Sequence, residues 1–275
     1  MLIRSAPLAA IVLSLACTLA CGGGSGEEEQ AEEEQGNFDE GTGLGEGECS
    51  DICGTPGCGD CPSADMVDGG GFQIDALEVT KGDYELMLEV EFDASVLPGG
   101  CDWKSGFEPD DWANQTDSAL PVVGVDWCDA MVYCTWAGKA LCGAVDGGPS
   151  DFDIGADPDD DAWYRACSNA GASEFPYGAD YDGLACNGED SGQDALLAGG
   201  TLDTCEGGVP GLYDMSGNVW EWSNACESAG GDGSTNCRRR GGSRYSGGDN
   251  LRCTVNSSRD RGSRDNAVGF RCCEG

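Results

Sequence analysis

Eighteen cysteines in a chain of 275 residues constrain what this sequence can fold into more than any other feature. Such density belongs to an oxidising compartment, where the thiols pair as disulfides. The N-terminus agrees with export. Arg4 supplies a short positive region, and Leu8 to Ala20 is mostly apolar but too short to span a bilayer. Residues 1–20 therefore read as a signal peptide. The run ends Leu19-Ala20-Cys21-Gly22, the pattern of a bacterial lipoprotein site at which Cys21 is lipidated and becomes the mature N-terminus. Cleavage and release is the simpler alternative. Setting aside Cys17 and Cys21 leaves 16 cysteines: a cluster at Cys49, Cys53, Cys58 and Cys61, and 12 from Cys101 to Cys273. Both groups are even, so each can pair internally. The cluster admits a zinc tetrathiolate or two disulfides. Its spacing lacks two paired Cys-x-x-Cys knuckles, and the oxidising compartment favours the disulfides.

Charge excludes several functions. There are 51 acids against 14 bases, a formal charge of −37. Phosphate contacts need a basic surface, so nucleic acid is excluded as a partner. Binding an anionic membrane through charge is excluded likewise, leaving the lipid at Cys21 as the only membrane contact. The acidity suits solubility and the attraction of calcium. Because the chain has no histidine, no His-dependent triad and no His-ligated metal centre can be built.

Residues 21–65 begin Gly-Gly-Gly-Ser-Gly after Cys21 and continue with Glu27–Glu29 and Glu32–Glu34. This stretch is too polar to fold and its charges repel, so residues 21–65 read as an acidic tether carrying the small cysteine cluster. Residues 66–275 read as the main domain. Phe72 to Asp75 looks like a short strand. Thr80 with Asp83 signals a helix start, and Asp126 with Asp129 a second one that Gly138 ends. A third helix is expected around Trp163, Ala166 and Cys167. Beyond Ser168 the chain is mostly turns, giving an irregular α+β domain of low regular content.

Several strings, in order, resemble the formylglycine-generating-enzyme (sulfatase-modifying factor) family. They are Ile74–Thr80, Pro121–Val123, Val125–Trp127, Tyr133–Lys139, Ala166-Cys167, Phe175–Gly178, Gly211–Trp222, Arg240–Ser243 and Gly269–Cys272. The resemblance covers nearly the whole main domain and implies a C-type-lectin-like α+β fold. It implies the bridges Cys134–Cys272 and Cys167–Cys253. It further implies a calcium site at Asp214, Gly217, Val219 and Glu221, with a second near Asn187 and Gly188. The oxygen-rich, partly glycyl turn suits that ion; the alternative is that Asp214 and Glu221 cap the turn and pair with arginines.

One departure bears on activity. Family enzymes hold copper(I) with two cysteines shortly after Gly-Gly-Ser, and soft thiolates suit that ion. Here those positions read Ser246 and Leu251, and no cysteine lies between Cys237 and Cys253. Copper is therefore not expected, and Ser243, Trp220 and Ser246 are what remains of the cleft. Nine of the 14 basic residues lie between Arg238 and Arg271. They suit internal ion pairs or, alternatively, an anion site. The expected function is a non-catalytic module binding a peptide, glycan or envelope protein at the cell envelope. The alternatives are a cysteine-to-formylglycine oxidase and a passive structural lipoprotein.

Overall fold

The computed structural model describes residues 48–93 and 96–274. The signal peptide, Cys21 and most of the tether lie outside the described residues. Helix α1 (Lys81–Leu88) starts where the sequence places it, since the Thr80 hydroxyl accepts from Asp83 N at 3.1 Å. Tyr84 and Met87 are its buried residues.

Helix α2 (Trp127–Trp136) is the centre of the fold. Asp126 and Asp129 form a reciprocal capping box, each carboxylate accepting the other's backbone N–H. The helix is apolar on nearly every face, as a helix enclosed by other elements must be; Trp127, Cys128, Ala130, Val132, Tyr133, Cys134 and Trp136 are all buried. Its two capping carboxylates are buried as well, and Lys104 and Arg264 neutralise them. Lys104 Nζ lies 2.6 Å from Asp126 Oδ2, and Arg264 reaches Asp126 at 3.0 Å and Asp129 at 2.8 Å. Helix α3 (Ala162–Cys167) is capped by Asp161.

The strands are short. β1 (Met66–Asp68), β2 (Gln73–Asp75), β3 (Ala140–Leu141) and β8 (Cys272–Glu274) form an antiparallel sheet of order β1-β2-β8-β3. A second sheet has the order β6-β5-β4-β7, from β4 (Trp220–Cys226), β5 (Asn236–Arg240), β6 (Ser257–Asp260) and β7 (Val268–Phe270). Its β4–β7 pair is parallel. One apolar cluster surrounds α2, β4 and β7; another joins α3 to Phe72, Ile74, Leu212 and Met215. Three helices of six to ten residues and eight strands of two to seven make the regular structure beyond single 3-10 turns among the described residues. The rest is loop.

Disulfides hold those loops. Cys134–Cys272 and Cys167–Cys253 are bridged, and so are Cys101–Cys128, Cys142–Cys273, Cys186–Cys205 and Cys226–Cys237. The small cluster pairs Cys49 with Cys58 and Cys53 with Cys61, leaving no tetrathiolate for zinc. Its placement corrects the boundary at residue 65. Cys53 N donates to Trp136 O, Trp136 Nε1 donates to Cys58 O at 2.7 Å, and three of its four cysteines are buried in the α2 cluster. The cluster belongs to the folded domain, because its bridges give a glycine-rich segment an apolar face that the end of α2 covers.

Candidate functional site

The turn from Gly211 to Val219 is rich in left-handed backbone. Asp214 (φ 60°), Gly217 (φ 80°) and Asn218 (φ 53°) all adopt the left-handed conformation. Gly217 has a second constraint: a Cβ there would sit 2.3 Å from Asn187 O, so only glycine lets the 187–188 loop close on the turn. Asn218 stitches the loops together. Its amide donates to Glu78 Oε1 at 3.1 Å and to Leu197 O, while its Oδ1 accepts from Asn187 Nδ2 at 3.0 Å and from Leu197 N.

The residues expected to ligate calcium, Asp214, Gly217, Val219 and Glu221 with Asn187 and Gly188, lie on this turn, on β4 directly after it and on the 187–188 loop packed against it. Asp214 Oδ2 accepts from Gly200 N at 2.7 Å. Asn187 and Gly188 sit against the same turn, although Gly188 O accepts from Ser191 Oγ. Glu221 has partners of its own. Arg271 clasps it with Nε and Nη2, both at 2.8 Å, and Trp163 Nε1 donates to Oε2 at 2.7 Å. This carboxylate is charge-paired and buried, which is the arginine alternative. Sequence reasoning missed Glu78, whose Oε2 is buried without a hydrogen-bond partner. Burial, then the neighbouring Asp214, pushes the Glu78 carboxyl well up. No signal in the sequence marks it, since it lies 140 positions from its partner Asn218. Among the described residues, no three His, Cys, Asp or Glu side chains converge as a metal cluster.

The second part of the site is the floor left by Ser243, Ser246 and Leu251. Ser246 Oγ accepts from Ser243 N at 3.0 Å, and Ser243 Oγ accepts from Tyr245 N at 3.3 Å. The two serines hold a tight turn. Leu251 is buried and fills the space beside two glycines: a Cβ on Gly188 would meet its Cδ1 at 2.5 Å, and one on Gly242 its Cδ2 at 2.9 Å. Trp220 is covered by the Arg239 guanidinium, 4.5 Å from the ring centroid. A hydroxyl bound to backbone and an alkyl side chain offer no soft ligand, and every described cysteine is in a disulfide. Around this floor the surface is aromatic. Tyr245 is 60% exposed with Arg244 stacked 4.3 Å from its ring. Tyr181 packs on Gly248, and its hydroxyl donates to Asp190 at 2.9 Å.

The basic C-terminal segment is spent mostly inside the molecule. Arg240 pairs with buried Asp161, Arg252 with Glu174 at 2.8 Å, and Arg264 with the α2 cap. Arg261 donates to the carbonyls of Gly99 and Ser228.

A small-helix, disulfide-stapled α+β domain with this turn and this Gly-Gly-Ser floor is of the sulfatase-modifying-factor class. The chain belongs to that family: the family described as "Sulfatase-modifying factor enzyme 1-like domain" matches residues 28–274. The formylglycine-generating enzyme of Mus musculus is 26% identical over 201 residues, covering 56% of this chain and 49% of its own. The inactive C-alpha-formylglycine-generating enzyme 2 of Bos taurus is 27% identical over 183 residues, covering 57% and 50%. The chain thus spans about half the length of these two relatives. Among solved structures, PvdO from Pseudomonas aeruginosa aligns with a TM-score of 0.49 at 21% identity, covering 74% of this chain and 80% of that one.

Proposed function

We propose that this chain is a non-catalytic binding module of the formylglycine-generating-enzyme family, acting at the bacterial cell envelope. One observation carries the reading: the positions of the family's copper-holding cysteines are a structural serine, Ser246, and a core leucine, Leu251, while all described cysteines are bridged. Copper(I) then has no thiolate to bind, and a substrate cysteine has no redox centre. A relative named as inactive, the bovine protein, is compatible with this. The exposed pair Tyr245 and Tyr181 beside the floor supplies stacking surface for a peptide or glycan or an envelope protein. Eight disulfides suit an oxidising, exported location, and among the described residues no helix is long and apolar enough to cross a membrane. Anchoring through a lipid on Cys21 completes the proposal.

The test has two arms. The oxidised protein, loaded with copper(I) under oxygen, is offered a cysteine peptide of sulfatase type, and mass spectrometry looks for formylglycine. No conversion is expected; copper-dependent conversion sinks the reading in favour of an oxidase. For the anchor, radiolabelled fatty acid should enter the expressed chain and should not enter Cys21→Ser.

Calcium is part of the same proposal. The orphaned Glu78 oxygen supports it, since a buried carboxyl beside Asp214 keeps one oxygen without a partner. Asp214, Glu78 and the main-chain oxygens of Gly217 and Val219 would hold the ion, which would neutralise the buried acids and stiffen the turn. A chelator should lower the melting temperature and added calcium restore it. Glu78→Gln should remove that response while itself folding. An unchanged melting curve ends the calcium proposal.

A further inference from the structure

A cleft of about 610 Å³ opens on residues that take no part in the site above. Its apolar lining includes Trp127 and Met131 of α2, Phe152, Pro98 and Pro149. Asn224 and Cys226 at the end of β4 line it too, and the Cys226–Cys237 bridge and a 3.0 Å hydrogen bond from Ser150 N to Asn224 O fix that wall. Ser150 lines the cleft, is only 5% exposed, and its hydroxyl has no hydrogen-bond partner. A buried hydroxyl left unpaired is costly, and a ligand that bonds to it removes that cost. The rim is acidic: Asp151, Asp153 and Glu227 are all exposed. Two bases stand against them: Arg238, whose guanidinium lies 3.9 Å from the Phe152 ring centroid and donates to Phe152 O, and the buried Arg261, 5.0 Å from the Trp127 ring centroid, which is held by the Gly99 and Ser228 carbonyls.

We propose that this cleft binds an extended polypeptide segment in which lysine or arginine alternates with apolar residues. The apolar side chains cover Met131, Trp127 and Phe152. The cations meet Asp151, Asp153 and Glu227, and a main-chain group of the segment bonds to Ser150 Oγ. An apolar floor with charge at its edge selects such a ligand over an acidic or a purely polar one. The proposal is independent of whether the protein catalyses anything, because the cleft shares no residue with the Ser243–Ser246 floor.

The test uses the full oxidised chain and two fluorescent hexapeptides, Phe-Lys-Leu-Arg-Phe-Lys and the same peptide with glutamate at each basic position. Anisotropy at physiological salt should show saturable binding of the basic peptide and none of the acidic one. Asp153→Lys with Glu227→Lys, both exposed positions, should weaken binding at least about tenfold. Asp180→Lys with Asp203→Lys, exposed acids away from the cleft, should change it less than about twofold. Ser150→Ala should weaken it without lowering the melting temperature. Equal losses from both charge reversals would mean attraction to a polyanion and would overturn the proposal. Absence of saturable binding, or binding of a neutral oligosaccharide alone, overturns it equally.

Discussion

Glu221 shows how one residue type reads differently in a sequence and in a fold. Within Gly211–Trp222 its position suggests a ligand, yet its oxygens hold Arg271, which also donates to the carbonyls of Asp75 and Tyr213. Both side chains are fully buried. Removing one charge strands the other, so Glu221→Gln should cost about 3–5 kcal/mol of unfolding free energy. Urea denaturation in chelator measures this without any contribution from a cation. Arg271→Lys should fail similarly, because an ammonium cannot match the planar fork that reaches three partners. A cost under about 1 kcal/mol would mean that the pair is solvated like a surface bridge. The partner of Glu221 was not legible in the sequence, since nothing local specifies a contact 50 positions away.

At the scale of elements, adjacent bridges act together. Cys134 and Cys142 flank the end of α2 and β3, and their partners Cys272 and Cys273 are consecutive on β8. Either bridge closes a loop of more than 130 residues, 138 for one and 131 for the other. While one is present, the other closes only a short additional loop. On chain-entropy grounds each single removal should cost about 2.5–3 kcal/mol, and removal of both about 6–7 kcal/mol, because the nested Cys167–Cys253 bridge already shortens the long loop. Denaturant unfolding of alanine-pair variants checks this, and simple additivity would refute it. These elements also show what a sequence discloses. Starts of α1 and α2 were legible because a cap is a local code, with Thr80 and Asp83, or Asp126 and Asp129, three positions apart. The sheet β1-β2-β8-β3 was not, because strands of two or three residues carry no alternation and β2 pairs with a strand almost 200 positions on. The bridges Cys134–Cys272 and Cys167–Cys253 were implied only through the family resemblance. The small cysteine cluster was misplaced in the tether because glycine and proline hid its contact with Trp136. The 149–153 wall of the cleft carried no signal at all.

For the molecule as a whole, acidity and burial combine. Burial pushes Asp129 up to about 7, and burial also moves Asp75 and Asp161 upward against their lysine and arginine partners. Each of these carboxyls binds its proton more tightly folded than unfolded. The folded state is therefore favoured most below the ordinary aspartate value of 3.8, and stability declines as pH rises from there to about 7. Melting temperature should be several degrees higher at pH 5 than at pH 8, since about 2 kcal/mol shifts a domain of this size by about 4–8 °C. Asp129→Asn should flatten the slope. A melting temperature that climbs with pH would contradict the burial argument. Added salt should act in the same direction as acid, screening a chain whose formal charge is −37.

The order of the cysteines along the chain sets a timetable. A polypeptide delivered from its N-terminus presents Cys134 and Cys142 as thiols long before Cys272 and Cys273 arrive. During that interval the early thiols coexist with Cys101 and Cys128, which lie close enough in sequence to trap them in wrong pairs. Correct assembly then depends on thiol–disulfide exchange, so such a protein matures at the pace of an isomerase rather than of its own collapse. Production in a host lacking periplasmic isomerase should accumulate scrambled, protease-sensitive chains.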